Sequence, residues 1–165
     1  MRAPPAITSV EKPRAFRAVA TAGLIAGILD ITSAFVIWGL MGIGPIRGLQ
    51  GIAVGLLDPQ SFQGGLPTAG LGVAIHFLIA FVAAFVFYAA SRKLIFLTKH
   101  AITSGMLYGI AVYGFMYWIV MPLASIKVRH SVSANFTRVL IHMFLVGLPI
   151  ALVVRLYSKP RVHSS

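Results

Sequence analysis

Cysteine is absent from this chain, and acidic residues are nearly so. The 165 residues contain no cysteine and three Asp or Glu, against 14 Lys or Arg. Without cysteine there is no disulfide, no thiolate metal site and no cysteine nucleophile. Charged residues make up only 10% of the chain, hydrophobic residues make up 58%, and the mean hydropathy is +0.90. A soluble domain carries about a quarter charged residues, so the composition predicts a membrane protein with one domain.

The formal net charge of +11 would suggest nucleic-acid binding in a soluble protein. Here the basic residues flank apolar runs, where membrane proteins place them against anionic headgroups. No basic face interleaved with aromatic residues is present. The expected partners are therefore the bilayer, with anionic lipids at the cytoplasmic face, and a further copy of the chain, but not nucleic acid.

Four apolar stretches are long enough to span a bilayer as helices. They cover about 18–41, 68–90, 101–121 and 136–157. We expect an all-α membrane fold with four transmembrane helices over 18–157, between basic cytoplasmic tails at 1–17 and 158–165. Pro122 is predicted to end the third span, and Pro149 is predicted to kink the fourth.

The distribution of basic residues predicts the orientation. Ten lie before the first span, between the second and third spans, or at the end of the chain: Arg2, Lys12, Arg14, Arg17, Arg92, Lys93, Lys99, Arg155, Lys159 and Arg161. Four lie in the other connections or the adjoining start of the fourth span: Arg47, Lys127, Arg129 and Arg138. The positive-inside rule then places both termini in the cytoplasm of a multi-pass protein of the inner (plasma) membrane.

The connection over 42–67 contains the run GLQGIAVGLL at 48–57. Helical spacing puts its large apolar residues on one face and Gln50, Gly48, Gly51 and Gly55 on the other. Ten residues cannot cross a bilayer, so we expect a short helix that is either re-entrant or interfacial. Asp58 and Pro59 are predicted to be the N-cap and first residue of another short turn in this outer segment, which includes Gln63.

Each span carries one polar residue that is unusual in a membrane. A carboxylate such as Asp30 costs several kcal/mol in the bilayer unless it has a partner or a function. With a rise of about 1.5 Å per residue, we expect Asp30, His76, Tyr113 and His142 to lie at a similar depth in the membrane. Arg138 lies one helical turn above His142. We treat these five residues as an intramembrane polar cluster.

Two classes of function fit this cluster. In the first, the chain is a small proton-linked transporter or channel component, because Asp and His together can relay a proton. In the second, it is a non-catalytic scaffold or assembly subunit, and the polar residues are hydrogen bonds between helices. A metal or haem site on His76 and His142 has no diagnostic spacing, and neither a metal nor a cofactor is expected. No motif of nucleophilic catalysis appears, which disfavours an enzyme without deciding the point.

Three GxxxG pairs predict close helix packing, either within one chain or between copies. They are Gly23 with Gly27, Gly51 with Gly55, and Gly105 with Gly109.

The motifs GLIAG (23–27), SAFVIWG (33–39) and SGMLYG (104–109), with a histidine early in the second span (His76), resemble the YagU-like family of small bacterial inner-membrane proteins of undefined function. The resemblance implies four helices in a bacterial inner membrane. It implies no catalytic residues.

Overall fold

The computed structural model describes residues 11–123 and 132–158, which are helical apart from short connections. Helix α1 covers Glu11–Leu40, α2 covers Pro45–Leu57, and a 3-10 helix covers Asp58–Gln63. Helix α3 covers Gly65–Lys93, and the short α4 covers Phe96–Lys99. The predicted basic residues Lys127 and Arg129, most of the N-terminal tail and the C-terminal tail after Ser158 lie outside the described residues.

The last two helices each contain a π-helical segment. Helix α5 has an α-helical part Ala101–Phe115, π-helical turns Met116–Val120 and a final turn Met121–Leu123. Helix α6 has α-helical parts Val132–Ile141 and Leu148–Ser158 around π-helical turns His142–Gly147.

Four helices are long and apolar enough to cross a membrane: Arg14–Leu40, Gly65–Lys93, Ala101–Val120 and Val132–Ser158. This confirms the prediction of an all-helical chain with four such helices, and no strand occurs in the described residues. The architecture is that of a multi-pass membrane protein.

Small residues form the interior of the bundle, and large apolar residues cover its outside. Ala22, Ala26 and Ala84 are almost fully buried together with Phe87, Ile150 and Val154. Large residues such as Leu24, Val36 and Phe85 are exposed along the same helices. In lipid, large apolar side chains gain no hydrophobic free energy by turning inward, whereas small ones allow helix backbones to approach closely and pack. This pattern is the one expected of a bundle that faces hydrocarbon.

Pro122 lies at the end of the third span: the candidate span covers Ala101–Val120, and the last described helical turn, Met121–Leu123, includes the proline. A proline ring in a regular α-helix meets the carbonyl four residues earlier and leaves that carbonyl without a donor. The π-helical turns Met116–Val120 end two residues before Pro122, and local π-helical adjustment is one way a membrane helix accommodates proline. The turns His142–Gly147 precede Pro149 in the same way.

The predicted N-cap role of Asp58 is wrong. Asp58 has a positive φ of 52° and terminates α2, where its backbone N–H donates to the carbonyl of Val54. The following 3-10 helix has no side-chain cap. The backbone of Asp58, rather than its carboxylate, therefore shapes the connection.

Candidate functional site

A cleft of about 910 Å³ opens between α1, α2, α3, α5 and α6. All five residues of the predicted polar cluster lie on its walls: Asp30, His76, Tyr113, Arg138 and His142. The remaining lining is mostly aliphatic and aromatic. The structure therefore brings together residues from four separate helices, and they form two pairs within the cleft.

The first pair joins α1 to α3. Gly27 packs against the ring of Phe77, so the two helices approach closely beside His76. The His76 Nε2 atom lies 2.9 Å from the carbonyl oxygen of Gly27, and Nδ1 lies 4.0 Å from Asp30 Oδ2. Because a carbonyl oxygen can only accept a hydrogen bond, Nε2 must carry hydrogen and donate it. His76 Nδ1 is thereby left facing the carboxylate.

The contact between His76 and Asp30 is polar but not a direct hydrogen bond. With its hydrogen on Nε2, His76 presents Nδ1 as an acceptor toward the carboxylate oxygens, which are also acceptors when the carboxyl is ionised. The separation of 4.0 Å between Nδ1 and Oδ2 exceeds hydrogen-bond distance. The Asp30 side chain is 26% exposed and lines the cleft, so the pair is open to the cleft.

The second pair joins α5 to α6. Gly109 lies against the backbone of His142, and Gly147 lies against the backbones of Gly105 and Gly109. This contact places the rings of Tyr113 and His142 edge to face, with centroids 5.5 Å apart. The Tyr113 hydroxyl is buried and has no hydrogen-bond partner among the described residues.

Arg138 continues the polar wall beyond this pair. Its Nη1 donates a long hydrogen bond of 3.5 Å to Asn135 Oδ1, and Asn135 Nδ2 donates to the Tyr117 hydroxyl at 3.4 Å. The ring of Tyr117 stacks on that of Tyr113, with centroids 5.5 Å apart. The backbone carbonyl of Arg138 accepts a hydrogen bond from His142 Nδ1 at 2.9 Å. The other ring nitrogen of His142, Nε2, takes no part in this bond.

The predicted outer residues Gln50, Asp58 and Gln63 do not line the cleft. Gln50 is buried, and its Nε2 donates to the carbonyl of Gly65 at 3.0 Å and to Thr68 Oγ1 at 3.3 Å. These bonds hold α2 against the start of α3. Asp58 and Gln63 are exposed at the two ends of the 3-10 helix.

Arg47 and Trp38 are among the cleft residues that were not predicted as site residues. Arg47 lines the cleft from α2, with its guanidinium 4.8 Å above the centre of the Phe62 ring, and Trp38 lines it from α1. Arg47 had been counted only for orientation. Its spacing of four and eight residues from Gly51 and Gly55 is a signal that all three share one helix face, and that face lines the cleft.

The GxxxG glycines have different environments. Gly23 packs against Phe81 and Gly27 against Phe77, both on α3, and Gly105 and Gly109 pack against α6. At Gly51, by contrast, no atom lies within 4 Å of the position that a Cβ would occupy. Gly51 and Gly55 are cleft-lining residues.

Within residues 11–123 and 132–158, no group of three or more His, Cys, Asp or Glu side chains is arranged to hold a metal ion. Comparison of the chain with protein-family models, with curated proteins and with solved structures finds no match. The resemblance to the YagU-like family stays a prediction, and the function has to be argued from the cleft.

Proposed function

We propose that this protein is a small proton-linked transporter or channel component in which Asp30 and His76 exchange a proton with the cleft. The observation that carries the proposal is the Asp30 carboxylate on the wall of a cleft of about 910 Å³, 4.0 Å from His76 Nδ1. An intramembrane carboxylate is expensive and is found beside a partner or a water-filled path. Asp30 has both features, because His76 is its partner and its side chain borders the cleft.

The cleft favours this function over a scaffold held together by polar bonds. Hydrogen bonds that only join helices should satisfy one another in a filled core. Here the Asp30 side chain is partly exposed, and the Tyr113 hydroxyl has no partner in the described part of the chain. Four of the six GxxxG glycines also pack against other helices of the same chain, so these contacts are within one copy rather than between copies.

Other charged and titratable groups face the Asp30–His76 pair across the same cleft. They are Arg47 on α2, Tyr113 and Tyr117 on α5, and Arg138 and His142 on α6. Asp30 is the only carboxylate among the lining residues. A proton taken up by the pair therefore changes the balance of charge in a cleft whose other permanent charges are positive.

We also propose that both termini are cytoplasmic and that α2 is re-entrant from the outer side. The excess of basic residues on the terminal side supports this orientation. At about 1.5 Å per residue, the 13 residues of α2 reach about 20 Å, too short to span. Re-entrant backbone needs cover by protein or water, and α2 forms a wall of the cleft while packing through Gly48 on Trp38 and through Leu49 on Gly72.

A reporter and a spin label test this arrangement. A C-terminal green fluorescent protein should fluoresce and a C-terminal alkaline phosphatase should be inactive; the reverse result contradicts the orientation. A spin label on a cysteine at Leu56, which is exposed, should lie deeper than the roughly 5–10 Å reached by an interfacial helix. A shallower depth would assign α2 to the surface.

Proton flux into proteoliposomes tests the function itself. The protein is reconstituted with an entrapped pH-sensitive dye, and a potassium diffusion potential drives protons inward. The unmodified protein should carry more flux than protein-free liposomes. Asp30→Asn keeps the size of the side chain and much of its hydrogen bonding but removes titration, so its flux should fall to the protein-free level.

Asp58→Asn is the matched control. It changes the same chemical group at an exposed position outside the cleft, with the same change in side-chain size as Asp30→Asn. Its flux should equal that of the unmodified protein. Equal flux through the Asp30→Asn variant would refute the proton-exchange role of Asp30.

A further inference from the structure

The charges on the cleft wall are unbalanced in favour of cations. Two guanidinium groups, Arg47 and Arg138, share this cleft with the single carboxylate Asp30. That carboxylate already faces His76 at 4.0 Å. In the described part of the chain no carboxylate lies within 4.0 Å of either guanidinium; Arg138 contacts a neutral amide and Arg47 an aromatic ring.

The rest of the cleft wall is apolar. Ile31, Ile75, Ile79, Val112 and Met116 contribute to it, together with Ile52 from α2. A hydrated inorganic anion would leave these surfaces in contact with water. A ligand with an apolar body would cover them, as is usual in cavities of about 300–1,000 Å³.

A buried hydroxyl lies in the same wall. Tyr113 is only 7% exposed, and its hydroxyl has no hydrogen-bond partner in the structure as described. An unpaired buried donor is costly. A ligand oxygen that enters the cleft would remove this cost, and a negatively charged oxygen would form the stronger bond.

We propose that the cleft binds an organic anion with an apolar body, such as a carboxylate or phosphate ester on an alkyl chain. The acidic head binds Arg138 or Arg47 and accepts from Tyr113, and the apolar body lies along the aliphatic wall. This inference rests on the proposed function in that it names the cargo class of the same cleft. The ligand can be a lipid of the bilayer or a free amphiphile, which share this chemistry.

Tryptophan fluorescence offers a direct binding test, since the chain has two tryptophans. Trp38 lines the cleft, whereas Trp118 is 71% exposed and lies outside the lining. Trp118→Phe therefore leaves one reporter in the cleft. Bromine quenches tryptophan on contact, so ω-bromoundecanoate is titrated into this variant in an uncharged detergent, with ω-bromoundecanol as its neutral match.

The carboxylate should quench Trp38 saturably, at a concentration about tenfold lower than the alcohol, because it adds a charge-assisted hydrogen bond. Adding Arg138→Gln should remove most of this difference, and adding Arg92→Gln, at the far end of α3 and outside the cleft, should leave it unchanged. If Arg138→Gln does not fold, the exposed Arg47→Gln and the conservative Tyr113→Phe give the same comparison. Equal quenching by acid and alcohol, or no change in any of these variants, would overturn the proposal.

A second arm identifies the source of the anion. In nanodiscs, bromine-labelled phosphatidylglycerol that quenches Trp38 more than bromine-labelled phosphatidylcholine would indicate a lipid ligand. Equal quenching by the two lipids, together with saturable binding of the free carboxylate, would indicate a free amphiphile. These binding measurements need no proton gradient and are therefore independent of the flux assay. Lost binding with persistent flux would contradict only the ligand proposal, and lost flux with persistent binding would contradict only the proton-exchange proposal.

Discussion

The same four long helices form two different halves, one closed and one open. In the closed half, Ala22 of α1 packs with Ala84 and Phe87 of α3 and with Ile150 and Val154 of α6 in a filled core. In the open half, the helices carry Asp30, His76, Tyr113, Arg138 and His142, and a cleft separates them. There α2, too short to span the membrane, completes the wall.

The difference shows how side-chain size and polarity set the distance between helices. Small apolar residues allow backbones to come together, and dispersion contacts then hold them. Polar and charged side chains cannot be enclosed without partners. Where each helix contributes one of them, the bundle leaves a cavity that water or a ligand can fill. The variants below separate the two halves, from the largest expected effect to the smallest.

The largest effect is expected for Phe87→Ala in the closed half. Phe87 is 1% exposed and packs edge to face on Tyr108, with ring centroids 5.1 Å apart. Its loss should lower the free energy of unfolding by about 3–5 kcal/mol, measured by thermal circular dichroism in detergent. Phe85→Ala, at a position that is 59% exposed on the same helix, should change it little. Similar effects of the two variants would contradict the assignment of the closed core.

Gly109→Ala tests the junction of α5 and α6 that borders the cleft. A Cβ at Gly109 would collide with the backbone of His142, which cannot move as a flexible side chain can. Such overpacking should cost about 1–3 kcal/mol and lower Tm. Gly70→Ala is the control, because open space surrounds that position on α3. An unchanged Tm for Gly109→Ala would show that the two helices pack less closely.

Two identical substitutions on α5 distinguish a satisfied hydroxyl from an unsatisfied one. The Tyr108 hydroxyl donates to the carbonyl of Ala83 at 2.7 Å, whereas that of Tyr113 has no partner in the described structure. Tyr108→Phe should destabilise the protein by about 0.6–1.7 kcal/mol. Tyr113→Phe should leave the stability of the ligand-free protein equal or slightly higher, since it removes an unpaired buried group. A stability loss at Tyr113 equal to that at Tyr108 would reveal a structural bond at Tyr113.

The most local effect is expected for Gln50→Ala at the joint of α2 and α3. The variant loses the bonds to Gly65 and Thr68 that hold α2 in place. Because α2 is a wall rather than a span, the expected result is faster amide hydrogen exchange over 45–57, with the free energy of unfolding lowered by only about 1 kcal/mol. Unchanged exchange in α2 would show that Gln50 does not anchor it. Gln63→Ala, exposed at the end of the 3-10 helix, is the matched control.

The sequence by itself determined the four apolar helices, because length and hydropathy alone decide whether a segment can span hydrocarbon. It also determined that each span carries polar residues such as Asp30 and His76, since these are visible as exceptions within apolar runs. The rise per residue orders such residues by depth. It does not say which way they point around the helix axis relative to other helices.

Only the tertiary structure decided which residues meet. The rotation and spacing of the helices depend on local features: Gly27 beside Phe77, the contact of Gly105 and Gly109 with Gly147, and the π-helical turns before Pro122 and Pro149. These contacts are between segments distant in sequence, so no local pattern reports them. They set Asp30 opposite His76 and Tyr113 opposite His142. They also leave the cleft open, although the apolar pattern of the four helices is equally compatible with a filled core.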